Sequence, residues 1–187
     1  MCGRFSLKNK KAVKDIYDID IIPRYNIAPS QKILMFSGIK LYYIRWSFSP
    51  TWAKIPMNLS NAREESLSIK PSFKDCKRCV IIADGWYEWK KSLKHKTPFY
   101  HYIDNSLIHM AGIYNNEGCA IVTTNSSKKI LHIHHRQPLL LDKLDISNWI
   151  QGKKLLNTCL SDKVQYYPVS QYVNYPSNNG TKCIERI

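Results

Sequence analysis

Residues 79–89 read CVIIADGWYEW, and this stretch decides the fold class. β-Branched and aromatic residues dominate it, which suits a pleated, largely buried surface better than a helix. Three more runs of strand length follow: TPFYHYI at 97–103, SLIHMAGIY at 106–114 and CAIVTT at 119–124. The segment NNEG at 115–118 is a turn signal between the last two. Consecutive strands joined by short turns predict antiparallel pairing. Towards the N-terminus, KILMFSGIKLYYIRW at 32–46 predicts a hairpin turning at Ser37-Gly38. Residues 11–19 place Ala12, Val13, Ile16 and Tyr17 on one helical face. Residues 21–31 read as an ordered loop with two prolines, and 46–56 as a Pro-bounded loop rich in Trp. A short helix is expected to open at Ser60 or Asn61. Towards the C-terminus, short helices are expected around 142–150 and 153–160, with a late strand in VQYYPV at 164–169. The expected class is α+β: a single domain over residues 1–187, with a curved, mainly antiparallel sheet or barrel-like core and short peripheral helices.

Composition narrows the function classes. With 44% hydrophobic residues in 187, the chain can bury a core, which excludes global disorder. Lys and Arg outnumber Asp and Glu by 28 to 14, a net charge of +14 that points to a polyanionic partner, foremost nucleic acid. The blander reading is a Lys-rich soluble surface, which the clusters at 8–14, 90–96 and 153–154 would equally supply. No apolar signal-like region follows Met1, and no run approaches a membrane span. The expectation is a soluble, cytoplasmic monomer, nucleoid-associated in a bacterium, with its six cysteines as free thiols. Cys76-x2-Cys79 followed by His95 and His101 meets loose zinc-site spacing, but the intervening residues read as strands. No metal and no cofactor is expected.

Cys2 carries distinctive chemistry if Met1 is removed, as the small second side chain favours. It would then hold an α-amine and a thiol on adjacent carbons. The α-amine has a pKa of ~7.7–8.0 against ~10.4 for lysine, so at neutral pH it is uncharged far more often. A neutral amine attacks an aldehyde to form an imine. The thiol can then close on the imine carbon as a five-membered thiazolidine, an intramolecular step favoured by proximity. Alone, a Cys at position 2 is also what chance supplies.

The rest of the chain adds an ordered set of motifs: MCGRF at 1–5, RYNIAPSQ at 24–31, WSFSPTW at 46–52, NAREES at 61–66, RCVIIADGWYEWK at 78–90 and IHHRQP at 133–138. Together they resemble the SOS response-associated peptidase family, the abasic-site processing proteins, from Cys2 to about Trp149 and more loosely to about Val169. The chain departs from the usual pattern at Ser47, where Gly is common, and at Gln137, where Met is common. The resemblance implies that Cys2 captures the ring-opened deoxyribose of an abasic site in single-stranded DNA. It implies that Asn61 holds the N-terminal residue and the sugar, that Glu88 is a general acid/base, and that His134 assists ring opening. It also implies that Arg4, Arg63 and Arg136 grip flanking phosphates, and that Trp46, Trp52 and Pro29 stack on or wedge against bases. The residue types suit this chemistry. Protons move several times during imine formation, Arg binds phosphate bidentately, and aromatic platforms contribute ~1–3 kcal/mol per stacked base.

Each assignment has a plainer competitor. Asn61 would serve equally as a helix cap. Strand alternation would place Glu88 on a solvated face. His132, His134 and His135 would form an exposed loop or a metal cluster. Two other functions compete with covalent capture: a Cys-dependent peptidase or amidase acting on non-DNA substrates or on itself, and a non-catalytic single-stranded DNA-binding module.

Overall fold

The decisive run is broken at Asp84 into two strands that enter different sheets. The computed structural model describes residues 2–93, 95–104, 106–156 and 159–187, with Cys159 described in its backbone alone. In chain order the elements are β1 (Phe5–Leu7), α1 (Lys10–Tyr17), β2 (Arg24–Ile27), β3 (Lys32–Phe36), β4 (Leu41–Arg45), β5 (Asn61–Arg63), β6 (Lys77–Ala83) and β7 (Gly85–Lys91). They continue with β8 (Lys96–Tyr102), β9 (Ile108–Tyr114), β10 (Cys119–Asn125), β11 (Arg136–Pro138), β12 (Leu140–Leu141), α2 (Lys143–Ile150) and β13 (Gln165–Pro168). One sheet runs β13-β8-β7-β1-β2 and the other β11-β10-β9-β6-β3-β4, with β12 added to β9 and β5 to β10. The pairings are antiparallel except β5 on β10. The architecture is α+β with mainly antiparallel sheet, as the sequence predicts.

The sheet change has a local cause. The buried Asp84 carboxylate accepts the backbone N–H groups of Lys8 at 2.5 Å and Asn9 at 2.7 Å, and the Ser6 hydroxyl at 2.6 Å. Charge-assisted bonds of this kind hold the bend against the start of α1. Gly85 follows because the Tyr100 ring occupies the space: a Cβ there would lie 2.2 Å from Cζ. No other residue admits that approach.

Both sheets are covered on both faces, so their strands read as near-continuous apolar runs. Between the sheets, Phe5, Ile27, Ile81, Met110, Ile121 and Trp86 form the central core. On the far side of the larger sheet, Val80, Ala111 and Val122 pack under Trp149 of α2, whose Nε1 donates to the Cys79 carbonyl at 2.9 Å. On the far side of the smaller sheet, Tyr87 and Tyr100 pack against Val169, Val173 and Cys183. Successive residues of β7 therefore serve different cores: Trp86 faces between the sheets and Tyr87 faces away.

Four expectations need correction. Segment 21–31 contains β2, because Asn26 is buried and its Nδ2 donates to the carbonyls of Val173, Tyr175 and Asn178. No helix opens at Ser60 or Asn61; the exposed edge of β10 recruits Asn61–Arg63 as a parallel strand instead. Lys153–Leu156 have no regular structure, a 3-10 turn spans Cys159–Lys163, and residues 157 and 158 lie outside the described residues. On α1, Val13 is buried but Ile16 is exposed, so the apolar face is narrower than its pattern implied. Among the described residues no helix is long and apolar enough to cross a membrane.

Candidate functional site

Cys2 precedes β1 and is fully buried in the core between the two sheets. The opposite sheet reaches it through β5. Asn61 is paired to Ile121 in the parallel register, and its Nδ2 donates to the Cys2 carbonyl at 3.0 Å and to the Ser60 carbonyl at 2.9 Å. The plainer reading of Asn61 as a helix cap is therefore excluded, since no helix starts there. Trp46 fixes the segment before it: its Nε1 donates to the Ser60 carbonyl at 2.7 Å and its ring meets Phe5 edge-on at 5.2 Å.

Glu88 shares the inward face of β7 with Trp86 and is only 3% exposed. Its Oε2 lies 3.9 Å from Nδ1 of His134, a half-buried ring on the turn before β11. That nitrogen also stands 3.1 Å from the Arg136 N–H, which donates to it when the ring proton is on Nε2. In the other tautomer Nδ1 donates to the Arg136 carbonyl at 3.0 Å. Backbone atoms on one side and a carboxylate on the other thus orient the imidazole.

Burial sets the electrostatics. Loss of water pushes the Glu88 carboxyl up to about 7. The Cys2 thiol is pushed well up, first by burial and then by Glu88. Burial lowers His134, with the Arg136 backbone opposing. At neutral pH the trio is a thiol, a carboxyl near its midpoint and a neutral imidazole. Such a set can both give and take protons without a large energy gap.

The site opens onto a cleft of about 410 Å³ lined by Arg4, Glu88, Trp89, Lys91, Lys96 and His134. Arg4 is half-buried and tied down, its Nη1 donating to Asn26 Oδ1 and to the Val173 carbonyl, both at 2.8 Å. Arg63 is exposed at the end of β5, and Pro29 and Trp52 are exposed on loops. Two assignments must be corrected in role. Trp46 is fully buried and presents no face for a base to stack on. Arg136 is 4% exposed; its guanidinium meets Glu65 bidentately at 3.0 and 2.9 Å and also donates to Asn125 Oδ1 and the Thr123 carbonyl. It clamps β10, β11 and the turn after β5 rather than a phosphate.

Sequence reading missed Glu65, which lies inside the quoted NAREES motif, and the lysines of the cleft, which looked like solvated surface. The two departures from the family pattern satisfy themselves. Ser47 Oγ donates to Asn58 Oδ1 at 2.8 Å, and buried Gln137 bonds the Ser127 N–H at 2.9 Å and Ser161 Oγ at 2.7 Å. Among the described residues no group of three or more His, Cys, Asp or Glu is gathered to hold a metal.

Comparisons with known proteins point the same way. A family profile described as SOS response associated peptidase (SRAP) matches residues 1–176. The chain is 36% identical to the abasic site processing protein YoqW of Bacillus subtilis, covering 99% of each chain. It is 32% identical to the abasic site processing protein YedK of Escherichia coli, covering 100% of each. A crystal structure of a protein from Bacteroides thetaiotaomicron shares the fold with a TM-score of 0.79 at 20% identity, over 100% of both chains.

Proposed function

The chain belongs to the SOS response associated peptidase family, and from that premise we propose that it processes abasic sites in DNA by covalent capture at Cys2. The names of its relatives support a role in the DNA-damage response. The observation that carries the capture chemistry is Glu88, a buried carboxyl with a pKa near 7 beside Cys2 and within ion-pair distance of His134.

Removal of Met1 converts the Cys2 amide nitrogen into an α-amine. His134 takes the anomeric hydroxyl proton of the closed sugar and returns it to the ring oxygen as the ring C–O bond breaks, which frees the aldehyde. The amine adds to the aldehyde carbon, and protonated Glu88 gives its proton to the hydroxyl that leaves as water. The thiol then adds to the iminium carbon while its proton passes to the Glu88 carboxylate. At the sugar carbon one C–N and one C–S bond form while two C–O bonds break, the ring bond whose oxygen stays as a hydroxyl and the bond to the hydroxyl that leaves, so the balance is one water. Asn61 holds the Cys2 backbone throughout. Ring closure removes the imine that would otherwise lead to strand cleavage by β-elimination. The net charge of +14, exposed Arg63 and Trp52, and the cations of the cleft favour a single strand as substrate.

A thiol-protease reading is not favoured. It requires a stabilised thiolate, and burial with Glu88 alongside holds Cys2 as the neutral thiol. The test compares crosslinking on a denaturing gel with single-stranded, double-stranded and undamaged oligonucleotides. Capture is expected with the abasic single strand and lost in Cys2→Ala. Turnover of a peptide in place of DNA capture would overturn the proposal.

A further inference from the structure

The tip of the β7–β8 hairpin carries a feature that capture at Cys2 does not use. Lys91 stands directly opposite Lys96 in the antiparallel register, beyond Lys90 opposite Thr97. The turn holds this pairing to its last residues, with Ser92 N–H and Oγ both donating to the His95 carbonyl, at 2.9 and 2.8 Å. Like charges facing each other across a ladder destabilise it. Both ammonium groups are exposed, and among the described residues neither has an acidic partner. They line the same cleft as Glu88, His134 and Arg4, the last fixed by neutral acceptors. With Glu88 as its one carboxyl among the described residues, the cleft is bordered mainly by cations, an arrangement that concentrates anions.

We propose that Lys91 and Lys96 form a phosphate clamp that seats the backbone phosphate adjoining the captured sugar. The proposal rests on the reading of the site as an abasic-site trap and supplies the anion subsite that buried Arg136 does not. A phosphate between the two ammonium groups would turn a repulsive cross-strand pair into a bridged one. Strand alternation puts Lys91 on the face opposite Glu88, and the two meet at the rim of the cleft that both line.

The test uses the full chain and a single-stranded oligonucleotide carrying a tetrahydrofuran site, which has no aldehyde and binds without capture. The double variant Lys91→Gln/Lys96→Gln is compared with Lys10→Gln/Lys11→Gln, which removes the same charge from exposed positions of α1. The log–log slope of affinity against salt is expected to shrink by roughly 0.7 per lysine in the hairpin variant, with an affinity loss on the order of tenfold, and to stay unchanged in the α1 variant. Capture of free 2-deoxyribose, which bears no phosphate, is expected to match wild type in both. Equal slopes in the two variants would overturn the clamp. So would a parallel loss of deoxyribose capture, which would place the lysines in the chemistry. If wild type captures neither sugar nor abasic DNA, the trap reading fails, while the slopes still decide whether the lysines hold phosphate. The hairpin variant is expected to melt no lower than wild type. Should it melt lower, Lys91→Gln and Lys96→Gln are each measured alone, and an unchanged slope in both refutes the proposal.

Discussion

Glu88 lies between Tyr87 and Trp89 in a strand, and alternation alone would place such a carboxylate in water. It does so only where one face of the sheet is solvated. Here the smaller sheet is covered on both faces, so the even positions of β7 turn into the core as firmly as the odd ones turn towards the C-terminal segment. That fact is invisible in a window of eleven residues. Its energetic consequence is testable. A carboxyl raised to about 7 favours the folded state less as pH rises from the ordinary carboxylate range through 7, because the native form holds a proton that the unfolded chain has released. Glu88→Gln is therefore expected to match wild-type stability near pH 4 and to exceed it at pH 8 by up to about 3 kcal/mol in urea denaturation. The same substitution should slow adduct formation by roughly a hundredfold or more, as expected for loss of a general acid/base. Equal pH profiles of stability would show that Glu88 is not a buried titrating group. Asn61→Ala removes one hydrogen bond to the Cys2 carbonyl and should slow capture about five- to tenfold, consistent with roughly 1 kcal/mol.

At the scale of elements, the strand order assembles the site from segments far apart in sequence. β5 is three residues long and brings Asn61 to Cys2, while Glu65 just beyond it locks Arg136 and so the turn bearing His134. The motif NAREES could be recognised in the sequence, but its conformation could not. A Ser/Asn start followed by acidic residues is a helix-opening pattern, and only pairing with β10 converts it to strand. Arg136 was equally illegible: nothing local distinguishes an arginine that meets phosphate from one whose carboxylate partner lies 71 positions away. Arg136→Ala is expected to cost roughly 3 kcal/mol, lowering Tm by about 10 °C, because it strands the Thr123 carbonyl and empties a buried volume. Glu65→Ala should cost less, since the Glu65 side chain is 56% exposed and Arg136 keeps its bonds to Asn125 and Thr123. Thermal melts giving the reverse order would contradict the clamp. Asp84 is the opposite case: the strand runs on either side of it were plain in the sequence, and only the bend between them was not.

Over the whole molecule, two sheets enclose a core into which the start of the chain is drawn, and the groups proposed to carry the capture come from both. The antiparallel strand content was legible because periodicity and turn signals are local. The division into two sheets was not, because it depends on which faces find partners. The charge of +14 foretold a polyanionic partner but not where it lies. In the structure Arg4, Lys91 and Lys96 border one cleft, while Trp46, chosen from its loop-like surroundings, belongs to the core. Covalent capture requires that Cys2 act through both its amine and its thiol. The most direct measurement is the intact mass of the purified protein, first alone and then after incubation with a single-stranded oligonucleotide bearing one abasic site. Met1 is expected to be absent, and the adduct to weigh protein plus oligonucleotide less one water. That mass is expected to stay unchanged after borohydride, which reduces an imine but not a thiazolidine. An adduct that persists in Cys2→Ala, or after the α-amine is blocked, would contradict capture through both groups, as would no adduct at all.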